Sequence, residues 1–370
     1  MSTLIQFKQQ SLLGVPRQQL EEIFEQMGSK PFHARQVMQW MYQRGEADIE
    51  QMTDLSKSLR EKLQNRTTIP QLKLLSEHQS PDDTIKWLFD VDGGQAIETV
   101  FIPEKKRGTL CVSSQVGCAL DCSFCATGAQ GFNRNLSAAE IIGQVWHAET
   151  TLRNRFEVDS AISNVVFMGM GEPLANYRNV LPALKILTDE FGFGLSKRRV
   201  TVSTSGIVPT IEQLQNDHPV ALAVSLHAPD NELRDQLVPI NRRYSIEQLL
   251  AACWQYAQAL RRTIFFEYVM LAGVNDSVEH AQKLAALLRD RPAKINLIPF
   301  NPYPGGRYQS SSYEQIVNFQ KVLLNAGLRT MIRRTRGSEV AAACGQLAGR
   351  VENKVLKPLG KKHALSHTEQ

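Results

Sequence analysis

From residue 109 to residue 324 the chain alternates between two patterns. Short runs that are apolar at nearly every position, rich in Val, Ile and Phe, are followed by longer stretches whose apolar residues recur three and four apart. TLCVSS is the first run, and the helical pattern AAEIIGQVWHAETTLRN follows it. SNVVFMG precedes NVLPALKIL, and RRVTVSTS precedes a helix around Ile211. PVALAVSLHA then precedes IEQLLAACWQYAQAL, TIFFEYVML precedes HAQKLAALL, and KINLIPF precedes YEQIVNFQKVLL. Strands buried on both faces belong to a parallel sheet clothed in helices. Six such pairs predict an α/β fold built as a partial TIM-type (β/α)6 barrel, with its site at the C-terminal ends of the strands.

Upstream, LEEIFEQM and ARQVMQWMYQ carry apolar residues at helical spacing, broken by Gly28, Pro31 and Gly45. A third helix is predicted through SKSLREKLQNR, with Thr53 or Asp54 as its cap. Residues 84–103, TIKWLFDVDGGQAIETVFIP, read as a hairpin turning at Asp92-Gly93-Gly94. The predicted organisation is an N-terminal helical accessory domain over 1–83 and a β-hairpin connector over 84–104. The barrel follows over 105–345, and a basic C-terminal tail over 346–370.

With 42% hydrophobic and 21% charged residues over 370 positions, the composition is that of an ordinary globular protein. No apolar run reaches the length of a membrane span, and MSTLIQFKQQ has no apolar leader core. The expectation is a cytoplasmic protein with no membrane partner. The net charge of +5 is unevenly spread, since residues 324–362 hold nine Lys and Arg against two acidic residues. Such a region suits a polyanionic substrate, and a solvated tail is the competing reading. The helical region is close to neutral, so scaffold and RNA contact both stand as readings of it.

The chemistry concentrates in CVSSQVGCALDCSFCATGAQGFNRN, where Cys118, Cys122 and Cys125 have the spacing C-x3-C-x2-C. Three close thiolates hold three corners of an iron–sulfur cubane and leave one iron open. Structural zinc takes four ligands, usually from two spaced pairs, and no His or Cys follows just after Cys125. A disulfide knot would need an oxidising compartment. Gly171 and Glu172 lie in GMGEP after the second strand, where glycine admits a close ligand and a carboxylate pairs with an ammonium. Ser203, the run Ser225-Leu226-His227, and Asn301 fall at or just past strands three, four and six. Each taken singly is more often a turn or capping residue. Glu98 stands between apolar neighbours in the second hairpin strand. Cys253, on an apolar helix face, and Cys111, within a strand, read as small buried hydrophobes. Cys344 lies in the small-residue segment VAAACGQLAG after Arg329, Arg333, Arg334 and Arg336, cations that favour a thiolate.

The cysteine loop is similar to that of the radical S-adenosylmethionine enzymes. The longer stretches FMGMGEPLANY, FGFGLSKRRVTVSTSG, SLHAPDNELRDQLVPIN, INLIPFNP and RTRGSEVAAACGQLAG, together with that loop, resemble the RlmN-type dual-specificity RNA methyltransferases. The likeness runs from the first helix to about Lys357. It implies methylation of carbon 2 of an adenosine in large-subunit (23S) ribosomal RNA near the peptidyl-transferase centre, and in transfer RNA beside the anticodon. The Cfr-like group, which methylates carbon 8, shares the catalytic machinery. The longer N-terminal domain and the loop QGFNRN favour the RlmN type. A non-enzymatic metal-bearing RNA-binding protein is a third reading, in which Glu172, Cys111 and Cys344 have no purpose.

The resemblance also implies roles. Cys118, Cys122 and Cys125 would ligate a 4Fe–4S cluster. Gly171, Glu172, Ser203, Ser225, Leu226, His227 and Asn301 would bind S-adenosylmethionine, used twice per turnover. Cys344 would carry the methyl group, Cys111 would be its disulfide partner and Glu98 the base. An electron donor such as flavodoxin and a cellular thiol reductant would be partners. Carbon 2 of adenine is electron-poor and has no lone pair, so it cannot take a methyl cation. In the family's scheme a radical made at the cluster activates the methyl group on Cys344, which then adds to the ring. Attack by Cys111 frees the product and leaves a disulfide.

Overall fold

The structure, a computed structural model, describes residues 10–104, 107–334, 336–337, 342 and 345–350. A short parallel pair, β1 (Gln10–Ser11) and β2 (Thr67–Thr68), closes the N-terminal region. Between its strands lie α1 (Arg17–Gln26), α2 (Phe32–Met38) running into a π-helical turn over Gln39–Gln43, and α3 (Lys57–Arg66). The cap of α3 is Ser56, whose side chain accepts the N–H of Leu59; Thr53 and Asp54 do not cap it. Asp54 instead accepts the indole N–H of Trp40. Leu20, Phe24, Val37, Met38 and Met41 belong to the same hydrophobic core as the large sheet. The indole of Trp146, on the helix α5 (Ala138–Phe156), donates to Met41 O at 2.7 Å, fixing one region on the other.

The large sheet has ten strands, and the two halves of it run differently. β3 (Lys73–Gln79), β4 (Ile85–Asp90), β5 (Ala96–Glu104) and β6 (Arg107–Cys111) form an antiparallel meander. The turn between β4 and β5 places Asp92, Gly93 and Gly94 all at positive φ, as its sequence predicted. β6 then pairs in parallel with β9 (Asn164–Phe167). β10 (Val200–Thr204), β11 (Ala221–Ser225), β12 (Ile264–Met270) and β13 (Ala293–Pro299) follow in order, with β14 (Arg329–Ile332) at the edge. The six predicted strands are present, and a seventh, β14, extends them. The sheet ends at β14 and β3, so it is an open, partial barrel.

Helices α5 (Ala138–Phe156), α6 (Tyr177–Thr188), α7 (Val208–Asp217), α9 (Ile246–Leu260), α10 (Val278–Leu288) and α11 (Tyr313–Asn325) match the predicted helical patterns. A short α8 (Asn231–Leu237) adds to them between β11 and α9. Several start with strong caps, and Ser137 and Ser245 form capping boxes with Glu140 and Gln248. The cysteine loop is set apart in a hairpin of its own. β7 (Gln115–Gly117) and β8 (Phe132–Asn135) pair antiparallel, and the loop between them contains the single turn α4 (Ala126–Ala129).

Candidate active site at the strand ends

Side chains alternate along a strand, so register decides which residues share a face. Cys111 on β6 lies opposite Val100 on β5, two residues from Glu98, and also beside Val166 of β9. Val166 pairs with Thr201, and Ser203 on the same strand pairs with Ala223. Ser225 pairs with Glu267, and Glu267 with Asn296. Glu98, Cys111, Ser203, Ser225 and Glu267 therefore all point to one face. The opposite face meets the helices: Thr99 donates to Gln144 of α5.

At the C-terminal ends of these strands is a cavity of about 160 Å3. Of the predicted site residues, Cys125, Gly171, Glu172, Ser203, Ser225 and His227 line it. Leu226 is fully buried beside it, and Asn301, two residues beyond β13, is not part of its wall. Cys344 lies outside the described residues, but Gly345, which follows it, lines the cavity.

The Glu172 carboxylate joins two strand ends. One oxygen accepts the N–H of Leu174 at 3.0 Å and the other that of Ser205 at 2.8 Å. Burial pushes its pKa up to about 7 against those bonds. Gly171, at φ +97°, has no room for a side chain, because a Cβ there would stand 2.4 Å from Cβ of Gln115. Gln115 in turn accepts the N–H of both Glu172 and Ala119, tying this turn to the cysteine loop. His227 takes a positive φ of 58°, and its Nδ1 accepts the N–H of Val269 at 3.0 Å. Burial and the charge of Arg234 push it down to about 3, so the imidazole is neutral with its hydrogen on Nε2.

Sequence reasoning passed over several residues here. Arg234 on α8 is fully buried and donates to the carbonyls of Ser205, Ser225 and Leu226 and to Asn241. It thereby knots the ends of β10 and β11 beneath the cavity, and burial lowers its pKa to about 10. In sequence it is one arginine on a polar helix, with nothing to set it apart. Lys86 alternates with Ile85 and Trp87 as a solvent-facing strand residue would, yet its Nζ lies 2.8 Å from Glu98. Arg333 lines the cavity, with Nη1 3.7 Å from Glu267, while Arg336 reaches Asp82 at 3.8 Å. Arg334 is exposed, with no ion pair among the described residues. The arginines after β14 are thus divided among different tasks.

The cysteine loop fits a cluster. Burial, and then the charges of Cys122 and Cys125, push the Cys118 thiol well above its usual value; Cys122 is pushed up to about 12 by burial and then by Cys125. Thiolates so close in one loop repel each other unless cationic iron lies between them. Among the described residues no three His, Cys, Asp or Glu converge on a point that would hold a single ion. A cubane does not require that, since each thiolate binds its own iron. The cavity opens directly beside Cys125, and Glu267 Oε2 in its wall has no hydrogen-bond partner. Cys118, Cys122, Cys125 and Cys253 are free thiols, and Cys253 is a fully buried core residue.

Comparison with known proteins gives concordant matches. Residues 10–69 match the model of the ribosomal RNA large subunit methyltransferase N-terminal domain, and residues 112–285 match the radical SAM superfamily. A crystal structure of a radical SAM methyltransferase from Sphaerobacter thermophilus is 44% identical to this chain, with a TM-score of 0.86. The match covers 91% of this chain and 99% of that one. A domain of pyruvate-formate lyase-activating enzyme from Bacteroides vulgatus matches at 21% identity and TM-score 0.37, over 46% of this chain and 99% of that one. SuiB from Streptococcus suis, bound to S-adenosylmethionine, matches at 14% identity and TM-score 0.45, over 61% of this chain and 50% of that one.

Proposed function

Since this chain belongs to the RlmN-type radical S-adenosylmethionine methyltransferases, we propose that it methylates carbon 2 of adenosine in large-subunit ribosomal RNA and in transfer RNA, with Cys344 carrying the methyl group. The observation that carries the reading is the shared face. Glu98 and Cys111 stand diagonally across the β5–β6 pair, on the side that also bears Ser203 and Ser225. A base and a resolving thiol are needed together only when a covalent adduct has to be broken.

In this reading Cys118, Cys122 and Cys125 hold the 4Fe–4S cluster, and Gly171, Glu172, Ser203, Ser225 to His227 and Asn301 hold S-adenosylmethionine. The bound cluster and cofactor supply one-electron cleavage chemistry that makes an unactivated methyl group reactive. The chain's own residues do the rest. The thiolate of Cys344 takes a methyl group, and its carbon becomes bonded to the adenine ring. Glu98 takes the ring proton. Cys111, as thiolate, attacks the sulfur of Cys344; the carbon–sulfur bond breaks, its electron pair stays with the methylene carbon, and that carbon takes up a proton, such as the one now held by Glu98, to become the methyl group on the RNA. The new Cys111–Cys344 disulfide is then reduced by cellular thiols through exchange. An electron donor of the flavodoxin kind and a thiol reductant are accordingly proposed as partners.

The N-terminal match supports carbon 2 over the carbon-8 alternative. Mass spectrometry of adenosines from RNA methylated by the purified protein tests this. Methyl on carbon 2 upholds the reading, and methyl on carbon 8 would move the chain to the Cfr-like group.

A further inference from the structure

The segment 345–350 begins at the cavity, which Gly345 lines, and is stapled at five places; one is the side chain of Gln346, which donates to Pro302 O at 2.9 Å. Gly345 O accepts the N–H of Ala126 at 2.9 Å, and Leu347 O accepts the hydroxyl of Thr127 at 2.5 Å, so one end is tied to the turn after Cys125. Arg350 and Ala96 exchange both backbone hydrogen bonds, at 2.8 and 3.0 Å. Gly349 is pressed so close to β5 that a Cβ would meet Ala96 O at 2.2 Å. Between these anchors the N–H of Ala348 donates to Glu98 Oε2 at 2.9 Å. The other oxygen of Glu98 accepts from Lys86 Nζ at 2.8 Å. Lys86 lies opposite Val100 on β4, so it is diagonal to Glu98 on the same face, and its side chain is 12% exposed.

Four of these anchors are neutral, and the one at Ala348 depends on the charge of Glu98. Hydrogen bonds to a carboxylate are roughly twice as strong as neutral ones. We propose that Lys86 is a positioning residue: its ammonium holds the Glu98 carboxylate turned toward Ala348, so that Glu98 pins the segment next to Cys344 while it is ionised. This rests on the reading of Glu98 as the base. When the proton of the adenine ring passes to Glu98, the carboxylate becomes a neutral acid and the bond to Ala348 weakens. The segment is then loosened at the step in which Cys111 must reach the sulfur of Cys344.

The test is hydrogen exchange, read by mass spectrometry on the full chain with its cluster reconstituted, together with RNA methylation. Lys86→Met is expected to raise exchange across 345–350 by roughly ten- to a hundredfold, the equivalent of losing one hydrogen bond to a charged group. Exchange in β12 and β13 should not change, and Lys86→Arg should restore protection. Glu98→Gln should raise exchange across 345–350 by a similar factor, because a neutral amide carbonyl accepts from Ala348 more weakly than the carboxylate, and adding Lys86→Met to it should raise exchange no further, while methylation stays lost. Where Lys86→Met loosens the whole fold, Lys86→Gln serves for the same comparison. Unchanged exchange over 345–350 in the lysine variants would overturn the pin. A Glu98→Gln chain that methylates RNA normally would overturn the base role and with it the release step, whatever the exchange data show.

Discussion

Two walls that share one sheet face, the β9–β11 strand ends lining the cavity and the β4–β6 strands under the segment that begins there, are built on opposite principles. On the β9–β11 side, buried polar groups have their hydrogen bonds made within the protein: Glu172 takes two backbone N–H groups, Arg234 four acceptors, and His227 the N–H of Val269. On the β4–β6 side, a segment is held by five anchors, one of which hangs on the Lys86–Glu98 ion pair. A wall that binds gains from being fixed before its ligand arrives. A wall that carries a covalent intermediate must let its reactive sulfur meet a methyl donor, an RNA base and Cys111 in turn.

The sharpest way to break this contrast is to remove the group that both walls serve. Replacing Cys118, Cys122 or Cys125 with Ala should abolish the brown colour of the cluster and all RNA methylation, because two thiolates do not hold a cubane. The fold should survive, as judged by circular dichroism, since the loop lies in a hairpin outside the large sheet. Retention of iron and activity in any of the three variants would sink the radical assignment.

Next in size is the fixed wall itself. Arg234→Met should lower stability to urea by about 3 kcal/mol or more, because several buried carbonyls lose their donor at once. A loss below about 1 kcal/mol would show that water enters and replaces the guanidinium. Glu172 gives a pH signature for the same wall. Its folded pKa, raised from 4.5 to about 7, means that it contributes stability fully present below pH 4.5 and lost as pH rises through 7. In cluster-free protein, Glu172→Gln should flatten that part of the stability–pH curve by roughly 3 kcal/mol at most. An unaltered curve would mean that the carboxylate titrates as if in water.

The smallest effect expected lies outside both walls. Arg334→Ala should reduce the slope of log affinity for RNA against log salt by about one, the share of one phosphate. Arg336→Ala should reduce it by less, as that side chain has Asp82 within 3.8 Å. Equal effects from the two would show that the Asp82 pairing does not hold in the complex.

How far this site was legible in the sequence depends on which kind of contact makes it. The cysteine loop, GMGEP and the strand-end serines are local patterns, and the structure gathers most of them round one cavity. The helices were legible through their period and their caps, although the true cap of α3 is Ser56, because competing Thr, Asp and Ser residues sit within one turn. Strand β3 escaped notice because KLLSEHQ is largely exposed and lacks alternation. Lys86, Arg234 and Glu267 were invisible as site residues for a different reason. Their partners are brought in by register or by long loops, and a buried cation looks like any other charge until its acceptors are in place.

The central claim is that Cys344 becomes covalently joined to adenosine and that Cys111, on the same face as Glu98, breaks that link. The most direct measurement is a denaturing gel of Cys111→Ala protein isolated with cellular RNA, run before and after nuclease. The expected result is a slowly migrating species that survives denaturation and collapses to the free chain on nuclease treatment. Cys344→Ala, and the double variant, should show none. A Cys111→Ala chain that turns over normally, or one that traps no RNA, would contradict the account and return Cys111 to the core of the sheet.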